Sequence, residues 1–374
     1  MRLTVRGVLM KKQYKVAVLI GRFECPHNMH KELFRRAAEI ADNVLIIVGS
    51  SLQPRTFKNP WVYSERAKLI SQIVSDSRSE GEISNSVGFI IEPNYDTVYS
   101  NDAWLARIQG IVSRNFPKET NIAIIGHKKD RSSFYLDMFP QWDLVEVPHI
   151  TALNAADIRK LYFTNNLNME YLRSVVPPSV FSFLDAFKNT AEFSNILQER
   201  EYADKYKKPY SQLPFPVTHC TADAVVVQSG HLLMVQRKAE PGKGLWAFPG
   251  GFFDAEHDFD FRETVLRELR EETRLKVPKK VLQGSIVNEH IFSAIDRSCR
   301  GRVITVAHHI VLEDGPLPAV KARSDAKKAE WVPFSEIRSS KCFEDHFEIA
   351  EYFNRGALSQ EAELSLPENS AYYC

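Results

Sequence analysis

One stretch of the sequence decides the fold of its second half: GGFFDAEHDFDFRETVLRELREETRL, from Gly250 to Leu275. The later part of this stretch has apolar residues at helical spacing and predicts an amphipathic helix. Within that helix Glu268, Glu271 and Glu272 occupy positions i, i+3 and i+4, which lie on one face. Carboxylates this close repel one another, so the cluster indicates that a cation lies between them. Hard divalent ions such as Mg²⁺ prefer oxygen ligands of this kind.

The residues around the carboxylates support a functional interpretation of the helix. Arg267 is next to the cluster and can hold one carboxylate in a fixed rotamer. Gly250 and Gly251 come earlier, where a chain that leaves a strand must bend tightly. A solvated acidic helix would explain the alternation of Glu and Arg. It would not explain the glycines, the spacing and the upstream Trp246 together.

The segment Arg-Glu-Leu-Arg-Glu-Glu-Thr, after Pro-Gly-Gly and a loop, resembles the Nudix box of enzymes that hydrolyse nucleoside diphosphates linked to another group. Two positions differ from that pattern. Arg274 stands where the box has a glycine, and the loop before Arg267 is longer than usual, which leaves Glu256 and Glu263 as candidates for the first glutamate. The resemblance implies a catalytic and metal-binding group (Arg267, Glu268, Glu271, Glu272) and substrate contacts at Trp246, Gly250 and Gly251.

Bulk composition is that of an ordinary soluble globular protein, with 374 residues, 44% apolar, 25% charged and a net charge of +1. This length predicts two or three domains. The near-neutral charge gives no indication of a nucleic-acid partner. The five cysteines are scattered, as expected for reduced thiols in a cytoplasmic protein. Residues Met1 to Tyr14 include basic residues but no sustained apolar segment, and no apolar run reaches transmembrane length, so no membrane partner is expected.

The first half of the chain alternates between short apolar runs and helical stretches. Such alternation predicts a parallel α/β sheet with right-handed crossovers, on which ligands bind at the carboxyl ends of the strands. Three glycines mark such ends: Gly21, Gly49 and Gly126. The runs that we expect to form strands are Lys15 to Ile20, Val44 to Val48, Gly88 to Ile91 and Asn121 to Ile125.

A pair of histidines follows the first of these strands. His27 and His30 lie near the start of the next helix, where backbone amides attract phosphate. The pair alone is also compatible with a transition metal or with surface residues. Preceded by Gly-Arg-Phe, however, the pattern resembles the HxGH signature of nucleotidyltransferases, and in particular the nicotinamide mononucleotide (NMN) adenylyltransferases. The absence of a GxxxxGK sequence disfavours a P-loop kinase.

The resemblance to NMN adenylyltransferases implies roles for further residues. His27, His30 and Arg159 would be catalytic, with Ile158-Arg159 ending an element that holds the β- and γ-phosphates of ATP. Asn101 and Trp104 would recognise the nicotinamide amide and ring, although a buried core tryptophan explains Trp104 equally well. The remaining substrate contacts implied are Gly21, Arg22, Phe23, Gly126, His127, Asp130 and Ile158.

Two positions differ from the adenylyltransferase pattern. Met29 replaces the glycine of HxGH, and we expect its side chain to crowd the nucleotide. Asn154 to Asp157 replaces hydroxyl-bearing residues before Ile158, which removes hydrogen bonds worth about 1 kcal/mol each and places the charge of Asp157 near phosphates. Because Arg22, His27, His30 and Arg159 are retained, we favour an active transferase.

The second half of the chain begins after a charged helical linker that ends in a proline-containing connector. The order of the expected elements predicts a Nudix α/β/α sandwich. These elements are a strand from Thr221, a hairpin at Ser229 to His231, the carboxylate helix, strands at Val281 to Phe292 and Arg302 to Leu312, and a closing helix. We therefore expect a Rossmann-like nucleotidyltransferase domain with a parallel sheet at 1–185, a helical linker at 186–216, the Nudix domain at 217–356 and a tail at 357–374.

The order of the two motifs resembles the fused bifunctional adenylyltransferase/Nudix proteins. This resemblance implies ATP, NMN and NAD at the first site, ADP-ribose at the second, and Mg²⁺, with Mn²⁺ as the alternative. Arg297, Arg300 and Arg302 would contact the diphosphate or terminal ribose, although solvated surface arginines explain them equally well. Two other interpretations stay open: an active Nudix pyrophosphatase with an altered first domain, and a sensor that binds ADP-ribose without cleaving it. A homo-oligomer also stays open.

Overall fold

The computed structural model describes residues 12–128, 131–148, 154–355 and 357–358. Asp130 and most of the proposed tail lie outside these residues. The first half forms one sheet of five parallel strands in the order β3-β2-β1-β4-β5, and this confirms the predicted Rossmann-like architecture. Its strands are β1 (Tyr14–Gly21), β2 (Ala41–Val48), β3 (Gly88–Pro93), β4 (Ile122–Gly126) and β5 (Asp143–Glu146).

Helices cover both faces of this sheet because its central strands are apolar on both sides. Val44, Ile46 and Val48 of β2 pack into one core cluster, whereas Leu45 and Ile47 pack into the other. The crossover helices are α1 (Asn28–Ile40), α2 (Tyr63–Ser79) and α3 (Asn101–Asn115), and a 3₁₀ helix spans Arg131–Asp137.

Four helices follow the sheet: α4 (Ala155–Tyr162), α5 (Met169–Val175), α6 (Pro178–Phe187) and α7 (Ala191–Lys207), the last continued by a 3₁₀ turn at Lys208–Gln212. The linker helix α7 is attached to the first domain. The ring of Phe193 stacks on Phe163, 5.2 Å between centroids. The buried carboxylate of Glu199 accepts a hydrogen bond of 2.6 Å from the backbone N–H of Phe57. The charged helix expected here is therefore solvated on one side only.

We expect Glu199→Gln to stabilise the protein in a pH-dependent way. Burial raises the pKa of Glu199 from 4.5 to about 7. Below pH 4.5 the group is neutral in both the folded and the unfolded chain and contributes nothing. Between these values the unfolded chain ionises first, so stability is lost as pH rises. Glutamine keeps the acceptor for the N–H of Phe57. In urea unfolding, the variant's free energy of unfolding should exceed that of wild type by about 3 kcal/mol at pH 8 and equal it at pH 4. An equal gain at both values would contradict this explanation.

The second half contains a mixed sheet in the order β10-β11-β6-β7-β12, with β8 paired to β7 and β9 paired to β6. Helix α8 packs on one face and α10 on the other, which confirms the predicted sandwich. The strands are β6 (Thr218–Gln228), β7 (His231–Arg237), β8 (Trp246–Ala247), β9 (Gly250–Phe252), β10 (Ile286–Phe292), β11 (Arg302–Val311) and β12 (Ala326–Pro333). The helices are α8 (Phe261–Thr273), α9 (Lys279–Gly284) and α10 (His346–Phe353).

The prediction of a strand over Val281 to Phe292 was wrong in its first part. Residues Lys279–Gly284 form α9, and the strand begins at Ile286. The carbonyl of Pro278 accepts hydrogen bonds from the N–H groups of Val281 and Leu282, which closes the first helical turn. Pro278 is the N-cap of α9 and has extended backbone angles (φ −60°, ψ 143°), so the helix begins at the residue after it.

The two halves share a buried contact made by Tyr99, from the segment between β3 and α3. Its ring packs edge-on against Phe292 of β10, 4.9 Å between centroids. Its hydroxyl donates to Asp345, which also accepts two hydrogen bonds of 2.9 and 2.8 Å from Arg297. Gln53 of the first half also donates to Glu348 of α10. Within the described residues, no helix is long and apolar enough to cross a membrane.

Candidate active sites

The first site lies at the carboxyl end of β1, where α1 begins. His27 is the N-cap of α1, and its backbone N–H donates to Nδ1 of His30, 3.2 Å away. The two imidazole rings lie 3.9 Å apart between centroids. Phe23 is buried and packs 4.9 Å from the ring of His30, which fixes the orientation of that ring. The structure therefore brings both predicted histidines together at a helix N-terminus.

Met29 is in the hydrophobic core. Its side chain is 1% exposed and belongs to the same cluster as Leu33 and Phe34 of α1. A side chain with almost no accessible surface does not present itself to a nucleotide beside His27. The expectation that Met29 crowds the nucleotide was therefore wrong, because the α1 backbone turns this position inward.

We expect the Met29→Gly variant to be less stable than wild type and to have no higher catalytic activity. Loss of a packed side chain and a glycine inside α1 should together lower the free energy of unfolding by about 3 kcal/mol or more. Thermal unfolding should show this loss, and Met29→Leu should show little. A rise in kcat/KM for ATP in Met29→Gly would instead mean that the methionine does obstruct the nucleotide.

The helix that carries Arg159 is capped by the residues that replace the expected hydroxyls. Asn154 is the N-cap of α4, and its side chain accepts from the N–H groups of Ala156 and Asp157, at 2.9 and 3.1 Å. The carboxylate of Asp157 in turn accepts from the N–H of Asn154. This arrangement is a capping box, in which the carboxylate of Asp157 stabilises the N-terminus of α4.

Arg159 is buried beside other cations. It donates to the carbonyl of Glu24, and its Nε has no acceptor among the described residues. Burial, and then the charge of Arg22, lowers the pKa of Arg159 to about 10. Two guanidinium groups and two imidazoles at one strand end form a site suited to an anion such as a phosphate chain.

A buried ion pair, which the sequence patterns did not indicate, holds the strand ends of this site together. Arg66 is 1% exposed, and its Nε lies 3.2 Å from Oε1 of Glu24. The same guanidinium donates to the carbonyls of Arg22, Gly49 and Ser50 at 2.5 to 3.0 Å. These carbonyls lie just after β1 and β2, so the ion pair fixes the two loops that flank the histidines.

The remaining predicted residues of the first half are placed as follows. Asn101 is exposed at the first position of α3, and Trp104 is half-buried one turn later, 6.2 Å from the ring of Tyr135 and 6.0 Å from that of Phe139. Trp104 is therefore partly a core residue. Ile158 is buried in the core. Gly126 ends β4, directly followed by His127.

The second site is organised by Arg267 of α8. Its guanidinium makes two hydrogen bonds to the carboxylate of Asp258, at 2.9 and 2.7 Å, and one of 2.7 Å to Oε1 of Glu268. These bonds hold the pKa of Asp258 well below its usual range. The oxygen of Glu271 is farther from the guanidinium, at 3.6 Å.

Asp258 is the acid that the sequence analysis missed. Glu256 is exposed, and Glu263 accepts from the N–H of Phe259 and lies 3.8 Å from Lys279. Neither of these two glutamates is bonded to Arg267, and Asp258 is. Aspartate has a shorter side chain than glutamate, yet Asp258 reaches the guanidinium of Arg267 from its longer loop. Only the geometry of that loop reveals the contact.

Arg274 keeps the backbone conformation that a glycine would adopt at this helix end. It is the C-cap of α8 with φ 46° and ψ 34°, in the left-handed region. A non-glycine residue there costs about 1–2 kcal/mol. The Nudix-box geometry is therefore retained although the residue differs.

Two glycines bring the backbone against the carboxylates of α8. The N–H of Gly250 donates to Oε2 of Glu272, 3.1 Å away. A Cβ on Gly251 would lie 2.4 Å from Oε1 of Glu268. Glycine is thus required at 251 by close approach to Glu268, and at 250 by close approach to β6, where a Cβ would lie 2.4 Å from the carbonyl oxygen of Ala222. Strand β9 positions both carboxylates.

We expect Gly251→Ala to reduce the activity of this second site by about 10²-fold, because the new methyl group displaces Glu268 and small misplacements have effects of this size. Gly284→Ala is the matched control, since a Cβ there meets nothing within 4 Å. Steady-state hydrolysis by both variants measures the difference. Equal activities would mean that Glu268 can move without consequence.

The predicted arginines of the second half have different surroundings. Arg297 is buried in its ion pair with Asp345, and Arg302 begins β11 with a buried Nη1 that has no partner among the described residues. The guanidinium of Arg300 lies 5.2 Å from the ring centroid of Phe252 and 5.8 Å from that of Phe343. Trp246 is half-buried in β8, and its carbonyl accepts from the N–H of Phe343.

Comparison with known proteins separates the same two halves. Residues 18–124 match the cytidylyltransferase-like family and residues 217–353 match the NUDIX domain. A nicotinamide/nicotinic acid mononucleotide adenylyltransferase of Acinetobacter baylyi is 27% identical over 51% of this chain and 96% of its own length. An ADP-ribose pyrophosphatase of Methanocaldococcus jannaschii is 33% identical over 36% of this chain and 71% of its own length.

One solved structure is similar to both halves at once. It is a bifunctional NMN adenylyltransferase/ADP-ribose pyrophosphatase from Francisella tularensis, in complex with AMP and a manganese ion. The two chains are 30% identical with a TM-score of 0.82, over 92% of this chain and 99% of the other. This chain belongs to the bifunctional NMN adenylyltransferase/ADP-ribose pyrophosphatase family.

Nudix enzymes use divalent metals, and the carboxylates on α8 of this family member are oxygen donors of the kind that such an ion binds. Burial raises the pKa of Glu268, and it raises that of Glu272 to about 8. Buried carboxylates of this kind need a cation to remain ionised. Among the described residues, no three His, Cys, Asp or Glu side chains converge into a ready-made metal site. Glu271 is exposed, in contrast to the buried Glu272.

Proposed function

We propose that the first site transfers the adenylyl group of ATP to NMN, giving NAD and pyrophosphate, and that the second hydrolyses ADP-ribose to AMP and ribose 5-phosphate. The observation that carries this proposal is the likeness to the Francisella bifunctional protein over 92% of this chain. The paired histidines at the start of α1 and the carboxylates of α8 supply the chemistry that each reaction needs.

In the first site the phosphate oxygen of NMN attacks the α-phosphorus of ATP. A P–O bond to NMN forms, the bond to the β-phosphate oxygen breaks, and pyrophosphate leaves. No covalent intermediate with the protein is needed. His27, His30 and Arg159 hold the phosphates in line and neutralise the charge that develops on the leaving group. Arg22 adds a further cation, and the Glu24–Arg66 pair keeps the loops that carry these groups in place.

In the second site water attacks one phosphorus of the diphosphate, and the other phosphate leaves. Glu268, Glu271 and Glu272 would hold the divalent ion, which when bound polarises the diphosphate and lowers the pKa of its water. Arg267 orients Glu268, and the N–H of Gly250 orients Glu272. We propose Mg²⁺ as the ion. Three points stay predictions: the substrate-binding roles of single residues, the domain bounds 1–185 and 217–356, and a cytoplasmic location.

The test is to incubate the purified full chain with NMN and Mg-ATP, and separately with ADP-ribose, and to quantify NAD and AMP. Both products are expected. ADP-ribose cleavage without NAD formation would leave the first domain as a transferase for another nucleotide or as a binding module. Binding of ADP-ribose without cleavage would favour a sensor.

A further inference from the structure

A row of tyrosines lies on the linker, between the two family matches. Tyr202 and Tyr206 of α7 stack with ring centroids 6.3 Å apart, and Tyr210 of the 3₁₀ turn follows 5.9 Å from Tyr206. Tyr202 and Tyr210 are each 37% exposed. Docking of the linker against the Nudix domain would explain the half-buried Tyr206. It would not explain aromatic rings that remain open to water on either side of it.

The row continues into the Nudix site. The ring of Tyr210 lies 5.0 Å from His219 of β6, and His219 lies 5.7 Å from Phe252 of β9. Phe252 directly follows Gly251, the residue that contacts Glu268, and its carbonyl accepts from Nη2 of Arg267. The four rings Tyr206, Tyr210, His219 and Phe252, here called the aromatic row, therefore end on β9, the strand that positions Glu268 and Glu272, with the Phe252 ring on the sheet face opposite to that of Gly251.

Cations flank the inner end of the aromatic row. Arg300 lies over the rings of Phe252 and Phe343, and the guanidinium of Arg237 lies 4.1 Å from the centroid of Phe343. Burial, and next the charge of Arg300, lowers the pKa of Arg237. One carboxylate oxygen of Glu344 lies 3.8 Å from Arg300, so the two guanidinium groups are opposed by an acid at this end of the row. The arrangement thus presents π-faces at one end and positive charge at the other.

We propose that the aromatic row is the base-binding wall of the Nudix site and that it stacks the adenine ring of the substrate, with Arg300 facing the diphosphate. This inference rests on the proposed hydrolysis of ADP-ribose. It assigns a substrate-binding role to the linker, which then completes the second site. An adenine and a diphosphate joined through ribose match an aromatic wall followed by a cation, and stacking on aromatic side chains is worth about 1–3 kcal/mol per base.

The first test uses Tyr206→Leu and Tyr210→Leu, with Tyr210→Phe as the conservative variant. The matched control is Tyr171→Leu on α5, a tyrosine 42% exposed in the first half of the chain. The leucine variants should raise KM for ADP-ribose about 5- to 100-fold with kcat within about twofold, and phenylalanine should restore the wild-type KM. A purely structural role would lower kcat and thermal stability together. Unchanged KM in both leucine variants would overturn the proposal.

The second test separates the base wall from the reaction. AMP and ribose 5-phosphate are compared as inhibitors of ADP-ribose hydrolysis, and the leucine variants should lose the advantage that AMP has in the wild type. Photolabelling with 8-azido-AMP, followed by peptide mapping, should mark the segment 206–219 or Phe252, in addition to peptides of the first site. If the wild type failed to cleave ADP-ribose, the proposed hydrolysis would be wrong. The labelled peptides would still show whether the aromatic row binds adenine. Labelling of the first site alone would overturn it.

Discussion

Replacing His27 by alanine is expected to lower the rate of NAD formation by about 10²–10³-fold and to leave ADP-ribose hydrolysis unchanged. The reason is that an imidazole at the start of α1 stabilises charge that develops on the transferred and leaving phosphates. Loss of one such preorganised donor has an effect of this size. Both reactions can be measured on one preparation, NAD by enzymatic cycling and AMP by chromatography.

The N-cap position of His27 calls for a matched control. His27→Asn keeps a residue that favours the N-cap and removes only the imidazole. Both variants should lose NAD formation, while their melting temperatures show whether α1 is intact. An active His27→Asn beside an inactive His27→Ala would assign the residue to helix capping and not to catalysis.

Replacing Glu272 by glutamine is expected to lower ADP-ribose hydrolysis by about 10³-fold and to leave NAD formation unchanged. Glutamine has the same shape and can still accept from the N–H of Gly250, so the fold of β9 and α8 should persist. What is lost is the negative charge that would hold the divalent ion. Such an ion contributes several kcal/mol of transition-state stabilisation, which corresponds to this factor.

Glu263→Gln is the matched control for this substitution. It removes a carboxylate from the same helix, α8, at a partly exposed position where Glu263 accepts a hydrogen bond from the N–H of Phe259. Its hydrolysis should be within about twofold of wild type. Titration with Mn²⁺, followed by electron paramagnetic resonance, should show weaker binding in Glu272→Gln only. Equal metal affinity in both variants would remove Glu272 from the ligand set.

Residues whose placement depends on spacing along one element could be located from the sequence. The carboxylates of α8 lie along one helix, and His27 and His30 lie at the first turn of another, so helical geometry alone sets the spacing within each group. Alternating strands and helices also gave the parallel sheet and the sandwich. These predictions needed no knowledge of how loops pack.

Residues whose roles depend on loops or on distant partners were not predictable. Asp258 reaches Arg267 from a loop whose length differs from the common pattern. Arg66 and Glu24 form an ion pair although they are 42 positions apart in the sequence. Only the folded structure reveals this pair. Arg297 was expected near the diphosphate, yet the structure gives it a buried carboxylate partner, Asp345, from a different element. Met29 faces the core because of the direction in which α1 leaves the strand.

The contact made by Tyr99 has a consequence for how such a fused gene can be shortened. Deleting the first half would uncover the ring of Phe292 and take one donor from Asp345. Deleting the second half would leave Tyr99 facing water just ahead of α3. A lineage that no longer needs one of the two reactions is therefore expected to keep both domains as a scaffold and to lose the unused activity through point substitutions at its catalytic side chains.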